Sequence, residues 1–542
     1  MIRRWLLTVG VGVPLVALLG ILTLVFRSVI LAPETARPGG TYTEGVVGQL
    51  GTLNPLFGGA AAGSNDLDAL LFEPLVRVLP NGSIQALLAS HWEVSPDQRS
   101  YVFTLRSNAR WSDGSPLAAD DVVFTVRTVQ DPQFPGALLN QSWKDIVATP
   151  IDSGHVRFAL PGHNAGFLAN LELLDIVPSH LLAGKSMAEL ASASPTINPV
   201  GTGPFRLTAQ LPDRVVLERN PFAWRKPWLD TMTVRTFPSQ QTALDALDRG
   251  QIDGLSNLSP GAVIRAKRNP QIDVLTASTY QYAELLLNLK PEEPYFQDKQ
   301  VRRAIAMAID RNAIIRDVLG GQAQVDDGPI PRSIAWAYDP NAKPPTYDVT
   351  GAAQLLDKAG WPLVAGTRTK GGTSLAFQLA VSKDVPPYQK VAEAVAQQLA
   401  VVGIQVDVQP VTTAALIHDY LNARTFDMAL TAFDNGPDPD IFTFWHSSQT
   451  HAGGFNFSSM KKNVFMDQDL EDGRATLSLT ARAKAYADFQ ELFAQEVPAI
   501  YLYSPRYALA VSRRIHGVHL DAAIEPMERF AYVNEWYVEV GR

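Results

Sequence analysis

The chain has 542 residues, 46% of them apolar and 18% charged, and at about 150 residues per domain this predicts three to four units with buried cores. Its 46 Lys and Arg against 54 Asp and Glu give a net charge of −8, so no basic face for nucleic acid is expected. The absence of cysteine excludes disulfide frameworks, zinc ribbons, Fe–S clusters, cysteine nucleophiles and attachment to a membrane through a lipidated cysteine.

Trp5 to Phe26 is an uncharged run of 22 residues, preceded by Arg3 and Arg4 and followed by Arg27. As a helix it would reach about 33 Å, enough for a hydrocarbon core of about 30 Å. It is longer than the apolar core of a cleavable signal peptide, and no small-residue pair marks a clean cleavage site. An uncleaved signal-anchor over residues 1–27 is therefore expected, with secretion after cleavage as the alternative. The arginine balance places the N-terminus inside and the body outside. Residues 28–40, with Pro33, Pro38, Gly39 and Gly40, read as a linker.

In the body, strands and helices interleave. Tyr101–Leu105 and Thr231–Phe237 are β-branched and aromatic runs of strand type. Val301, Ile305, Ala308 and Ile309 recur at helical spacing, in a pattern that Gly320 and Gly321 end beyond Leu319. Val391, Val395, Leu399 and Val402 make a helical stripe, with Gly403 where a C-terminal cap belongs. Ile404, Val406 and Val408 then alternate with polar residues at strand period. A helix feeding directly into a strand predicts an α/β architecture.

The motifs of catalysis are missing: neither a G-x-S-x-G elbow nor H-E-x-x-H occurs. Gly58–Gly63 lacks the lysine of a phosphate loop, and His516 with His519, or His446 with His451, make poor metal pairs. Asp120 and Asp121 follow the turn Asp113-Gly114 and fall in the first turn of a helix beginning near Ala118. That position stabilises carboxylates through the helix dipole and accounts for them without acid–base chemistry. The loop Asp434-Asn-Gly-Pro-Asp-Pro-Asp440 sets three carboxylates beside Phe433, Phe442, Phe444 and Trp445, a combination suited to gripping an ammonium group; its offsets do not fit an EF-hand.

Leu53-Asn-Pro-Leu56, Leu71-Phe-Glu-Pro-Leu-Val76, Ser90-His-Trp-Glu-Val-Ser-Pro-Asp97, Tyr101–Arg106, Trp111-Ser-Asp-Gly114 and Ala119–Phe124 occur in one order with later segments. These are Asn198–Phe205, Glu218-Arg-Asn-Pro221, Leu287-Asn-Leu289, Val301–Asp310 and Asp438-Pro-Asp440. In this order, from about Thr41 to the C-terminal region, the chain resembles the large extracytoplasmic solute-binding proteins of peptide ABC importers, the dipeptide- and oligopeptide-binding family 5.

The resemblance implies a type II periplasmic-binding-protein-like α/β fold of three lobes. Lobe I would comprise residues 41–76, 195–279 and 494–542, lobe II the inserted residues 77–194, and lobe III residues 280–493, with hinges near 280–290 and 494–498. It implies a monomeric binder, not an enzyme, that captures di- or oligopeptides outside the membrane by lobe closure and hands them to a permease. A nickel complex, an oligosaccharide or an opine are alternative ligands, and a tethered sensor or an extracytoplasmic hydrolase alternative roles. No cofactor or metal is expected. Asp434 matches the carboxylate that holds the peptide α-ammonium group, with Phe433, Asn435 and Trp445 beside it and Asn54 in the early loop. Dipeptide-type members carry Trp where this chain has Thr431, and Pro437 resembles an insertion that makes Asp438 the second candidate.

Overall fold

The computed structural model describes residues 39–50, 53–57, 64–192, 199–293 and 295–538. The expected signal-anchor, most of the linker and the segment Gly58–Gly63 lie outside them. Among the described residues no helix is long and apolar enough to cross a membrane.

The elements that position the site follow in chain order. They are β1 (Thr41–Val47), α1 (Ser64–Leu71), β2 (Ala89–Val94), β3 (Ser100–Leu105), α2 (Ala119–Gln130), β4 (Val147–Asp152), β5 (His155–Ala159) and α3 (Phe167–Glu172). Next come β6 (Phe205–Leu211), β7 (Arg214–Arg219), β8 (Thr231–Phe237), α4 (Gln240–Asp248), β9 (Gly254–Leu255), β10 (Ile272–Ser278) and β11 (Gln281–Leu287). The remainder are α5 (Lys299–Ala308), β12 (Ala323–Val325), β13 (Ala376–Ser382), α6 (Pro386–Val401), β14 (Gln405–Val411), β15 (Met428–Asp434), α7 (Val464–Arg474), α8 (Leu479–Glu496) and β16 (Ala499–Ser512).

Twelve strands join in one sheet whose main path runs β14-β13-β15-β11-β16-β9-β1-β8-β7-β6, with β10 and β12 also paired to β16. The 14-residue β16 is the common member: its first part pairs with β11 and β12, its second with β9 and β10. The partner strand changes between Ser278, opposite Arg506, and Ala283, opposite Tyr503. A separate antiparallel sheet, β2-β3-β5-β4, lies outside this layer.

The apolar side chains sort accordingly. Trp111, Trp143, Phe158 and Phe167 centre a core drawn from residues 56–177. Leu285, Ile305, Val395 and Leu430 centre another drawn from 283–503, flanked by an aromatic-rich cluster around Trp445 and Phe493. Tyr42, Met232 and Trp536 belong to a core assembled from distant segments at both ends of the described chain. Each fully buried Leu or Phe adds about 1.5–3 kcal/mol relative to exposure.

Local sequence explains the elements near the site. In α6, Pro386 and Pro387 take the first turn, where no N–H is missed, and Val391, Val395 and Leu399 face the core. Gly403 then turns the chain at φ +83°, and a Cβ there would lie 2.4 Å from Leu363. The chain continues into β14, parallel to β13, which makes the expected α/β unit. The apolar stripe after Val301 departs from one continuous helix. The α5 helix stops at Ala308, because Asp310 accepts from Ala313 N (2.9 Å) and caps a new turn, which continues as a π-turn over Ile314–Val318 before Gly320 and Gly321. Asp121 is fully engaged as a cap: it accepts from Ala118 N (2.9 Å), Trp111 Nε1 (3.2 Å), Ser179 N (2.9 Å) and Ser179 Oγ (2.6 Å).

Candidate functional site

Between the small-sheet core and the core built on β11 and β15 lies a cavity of about 920 Å³. That places it near the upper end of small-molecule sites, about 300–1,000 Å³. One wall comes from residues 136–173, the other from 434–474, and Glu525 and Met527 complete it. The walls touch where Ala165 N donates to Arg474 O (3.0 Å) and, beyond the cavity, where Leu477 N donates to Gln98 Oε1 (3.1 Å). A second chamber of about 280 Å³ adjoins it and shares Leu173, Pro437, Glu525 and Met527.

The ladder between β11 and β15 ends at Gln281 opposite Asp434, so the acidic loop starts where strand pairing stops. Asp434 Oδ1 accepts from Gly436 N (3.0 Å), a tight turn that Gly436 permits at φ +65°. The three carboxylates of the loop then have different fates. Asp438 is gripped through both oxygens by Arg482 (2.7 and 2.9 Å), a guanidinium that is 4% exposed. Asp440 pairs with Arg474 Nε (2.8 Å) and accepts from Phe442 N (3.2 Å). Asp434 has no cation within ion-pair distance among the described residues, and it faces the cavity.

Across from Asp434 stands Glu525. Burial, then the nearby Asp434 carboxylate, with Glu528 and Glu172 behind it, pushes the Glu525 carboxyl up to about 10. Glu528 itself is raised by burial, an effect that the Arg77 guanidinium opposes at 2.8 Å. The turn that carries Glu525 and Glu528 is fastened by Arg529, fully buried, which binds Asp66 of α1 (2.5 and 2.6 Å) and Glu44 of β1 (3.0 Å).

The side-chain oxygens of Asn164, Asn435 and Gln449 are shielded, line the cavity and meet no donor from the protein. Asn435 uses its Nδ2 to donate to Tyr282 Oη (3.2 Å). The cavity therefore offers hydrogen-bond acceptors and a carboxylate, Asp434, that meets the Glu525 carboxyl and no cation among the described residues, together with the rings of Phe442 and Phe444.

Of the residues singled out from sequence, Asp434 and Asn435 line this cavity and three do not. Phe433 points to the other face of β15, as strand alternation requires, and packs on Phe444 (5.1 Å) and Phe457 (6.4 Å). Trp445 is 3% exposed and sits edge-on against Phe493 (4.6 Å), in a core rather than on the wall. Asn54 belongs to a turn, donating to Leu190 O (3.2 Å) and accepting from Leu56 N (3.2 Å). Neither Glu525 nor the loop 160–166 was visible from sequence; a capping pattern over Glu525–Glu528 was the one local signal. His446 stacks on Phe442 (4.0 Å) and meets Glu471 Oε1 through Nε2 (3.2 Å), and His519 packs at a tilt on Tyr532 (4.1 Å). Among the described residues no group of three ligating side chains has the arrangement to hold a metal.

The model for bacterial extracellular solute-binding proteins, family 5 Middle, matches residues 83–454. The oligopeptide-binding protein AppA of Bacillus subtilis is 27% identical over 494 residues, 89% of this chain and 89% of that protein. The periplasmic binding protein DppA of Helicobacter pylori, solved with the peptide STSA, superimposes with a TM-score of 0.74 at 25% identity, covering 93% of this chain and 99% of that one. NikZ of Campylobacter jejuni, solved with Ni(L-His), gives the same TM-score and identity over 92% and 99%. With a family match across most of its length and a mixed α/β fold shared with solved members, the chain belongs to the bacterial extracellular solute-binding proteins of family 5.

Proposed function

We propose that this protein is the substrate-binding component of an ABC importer and that it captures peptides in the 920 Å³ cavity. The observation that carries the reading is Asp434: of the loop's three carboxylates it alone lacks a guanidinium partner, at the end of a strand and facing open space. A peptide α-ammonium placed there would gain a charge-assisted hydrogen bond. The free oxygens of Asn164, Asn435 and Gln449 suit backbone N–H groups, which every peptide presents whatever its sequence. The names of AppA, an oligopeptide-binding protein, and of DppA, solved with STSA, support the same ligand class.

Capture works by closure, without turnover. In this reading the three lobes follow the three cores, and the moving joints are residues 279–280 and 504–506, where β16 changes partners and Thr279 Oγ1 donates to Pro505 O (3.1 Å). The contacts from Ala165 to Arg474 and from Gln98 to Leu477 are the seam of the closed form. The protein acts outside the membrane as a monomer, tethered by the apolar run 5–26, and passes its ligand to the permease.

Mass spectrometry of ligand released from natively purified protein tests the reading directly. Peptides are the expected content; a nickel complex, a sugar or an opine in their place would overturn it.

A further inference from the structure

The chamber of about 280 Å³ beside the main cavity is lined by more carboxyl groups than cations. Six carboxylates line it, from Asp68, Glu73, Glu172, Asp175, Glu525 and Glu528, against the guanidinium groups of Arg77 and Arg225. Both cations are already committed. Arg77 binds Asp521 (2.7 Å) and Glu528 (2.8 Å), and Arg225 binds Glu73 (3.3 Å). Arg106 lies on the ring of Trp224 (3.9 Å), and Asp66 of the same helix as Asp68 is taken by Arg529.

Asp68 and Asp175 have no cationic partner among the described residues. Asp68 projects from α1, is 6% exposed, and its Oδ1 meets no hydrogen-bond donor. Thr202 Oγ1, 1% exposed on the same lining, is also without a partner. Burial, then repulsion from Asp175 and Asp66, pushes Asp68 up to about 8, and burial with the nearby Glu73 pushes Asp175 up to about 7. Asp68 Oδ1 and Thr202 Oγ1 thus line the chamber with nothing from the protein to satisfy them, and each carries the desolvation cost of an unmade hydrogen bond.

The wall also has an apolar stretch, Phe72, Leu87, Ala223 and Met527, alongside the amides of Asn65, Gln85 and Asn534. A methylene stem ending in a charged head matches such a wall, as lysine and arginine side chains do. A bare metal ion does not match, since among the described residues no three ligating side chains converge as a metal site requires.

We infer that this chamber is a second subsite, which takes a ligand's primary ammonium or guanidinium group on Asp68, Asp175 and Thr202. The inference rests on the ligand reading above, because the chamber shares Glu525 and Met527 with the cavity where Asp434 would hold the α-ammonium end. Its consequence is selectivity for peptides with one basic residue at a fixed distance from the amino terminus.

The test uses the full-length protein and calorimetric titration with tetra-alanine peptides carrying a single lysine at each position in turn, compared with norleucine at the same position. A second arm measures thermal stabilisation by agmatine, a small organic cation that is not a peptide. Wild type should prefer lysine at one position by about tenfold or more. The double variant Asp68→Asn, Asp175→Asn should lose that preference while keeping its affinity for the norleucine peptide, and should lose stabilisation by agmatine. Peptides that bind with no lysine preference in wild type overturn the subsite and leave the peptide reading standing; the wild-type comparison needs no variant to fold. A preference that survives in the double variant also overturns it. If no peptide binds yet agmatine stabilises wild type and not the variant, the peptide reading falls and the subsite stands.

Discussion

Arg482 holds both carboxylate oxygens of Asp438, at 2.7 and 2.9 Å, and this pairing leaves Asp434 as the carboxylate open to a ligand. The two residues lie four apart in one loop, yet they should respond to the same chemical change in opposite ways. Asp434→Asn removes a charge-assisted contact worth about 1.5–3 kcal/mol, so peptide affinity should fall by roughly tenfold to a hundredfold with the melting temperature unchanged. Asp438→Asn leaves a buried guanidinium without its counter-ion, which costs about 3–5 kcal/mol. Calorimetric titration and thermal melts on both variants check the contrast, and equal peptide affinity in wild type and Asp434→Asn would remove Asp434 from the site.

Peptide binding should release protons. Glu525, raised to about 10, holds a proton beside Asp434 across the neutral range, and an arriving ammonium group favours the ionised carboxyl. Affinity should therefore strengthen as pH rises from 5, by up to about tenfold per pH unit for each proton released. The rise should stop near pH 8, at about 7.7–8.0, where the ligand's own α-ammonium begins to lose its charge. Titrations in buffers of differing ionisation enthalpy count the protons directly.

Glu284 offers an internal pH gauge away from the cavity. It is 2% exposed on β11, and burial pushes it up to about 8 against the pull of the neighbouring hydroxyls of Tyr501 and Thr431. The folded protein keeps this proton where the unfolded chain has lost it, so the stability it carries is present at pH 4 and drains away as pH rises through 8. Glu284→Gln keeps the shape and cannot ionise. The variant should match wild type at pH 5 and melt several degrees higher at pH 9.

The turn bearing Glu525 depends on one side chain. Arg529→Met would strand the Glu44 and Asp66 carboxylates in a dry interior, at a cost of about 3–5 kcal/mol. A lowered melting temperature, with early proteolytic cutting between 520 and 538, is the expected result. Peptide affinity should fall as well, since Glu525 loses its fixed position.

The architecture was readable in the sequence where local chemistry agrees with the fold. Pro386 and Pro387, the stripe to Leu399 and Gly403 specify a helix and a turn that survive intact in α6, and Thr231–Phe237 is a strand to the residue. The break after Ala308 was harder, because the apolar stripe runs on while Asp310 starts a new turn with its side chain. At the site, Asp434 could be named because its loop clusters turn formers and carboxylates. Which of the three stayed unpaired depended on Arg474 and Arg482, which reach the loop from two other helices. Phe433 and Trp445 looked like cleft residues by proximity in sequence, and the alternation of β15 and the packing on Phe493 turned both inward. Glu525, ninety-one residues after Asp434, could only be found in three dimensions.

The place of β16 in the sheet also has a meaning for synthesis and export. Residues 499–512 join the two halves of the twelve-stranded sheet, and they follow all of its other strands in the sequence. Neither half has all of its strands until residues 499–512 are made, so the body cannot mature segment by segment as a string of independent domains does. The nascent chain stays unlocked until β16 is made. A protein that must be threaded through a membrane before it folds gains from that delay, and a truncation before residue 499 should leave no stable remnant of either sheet half.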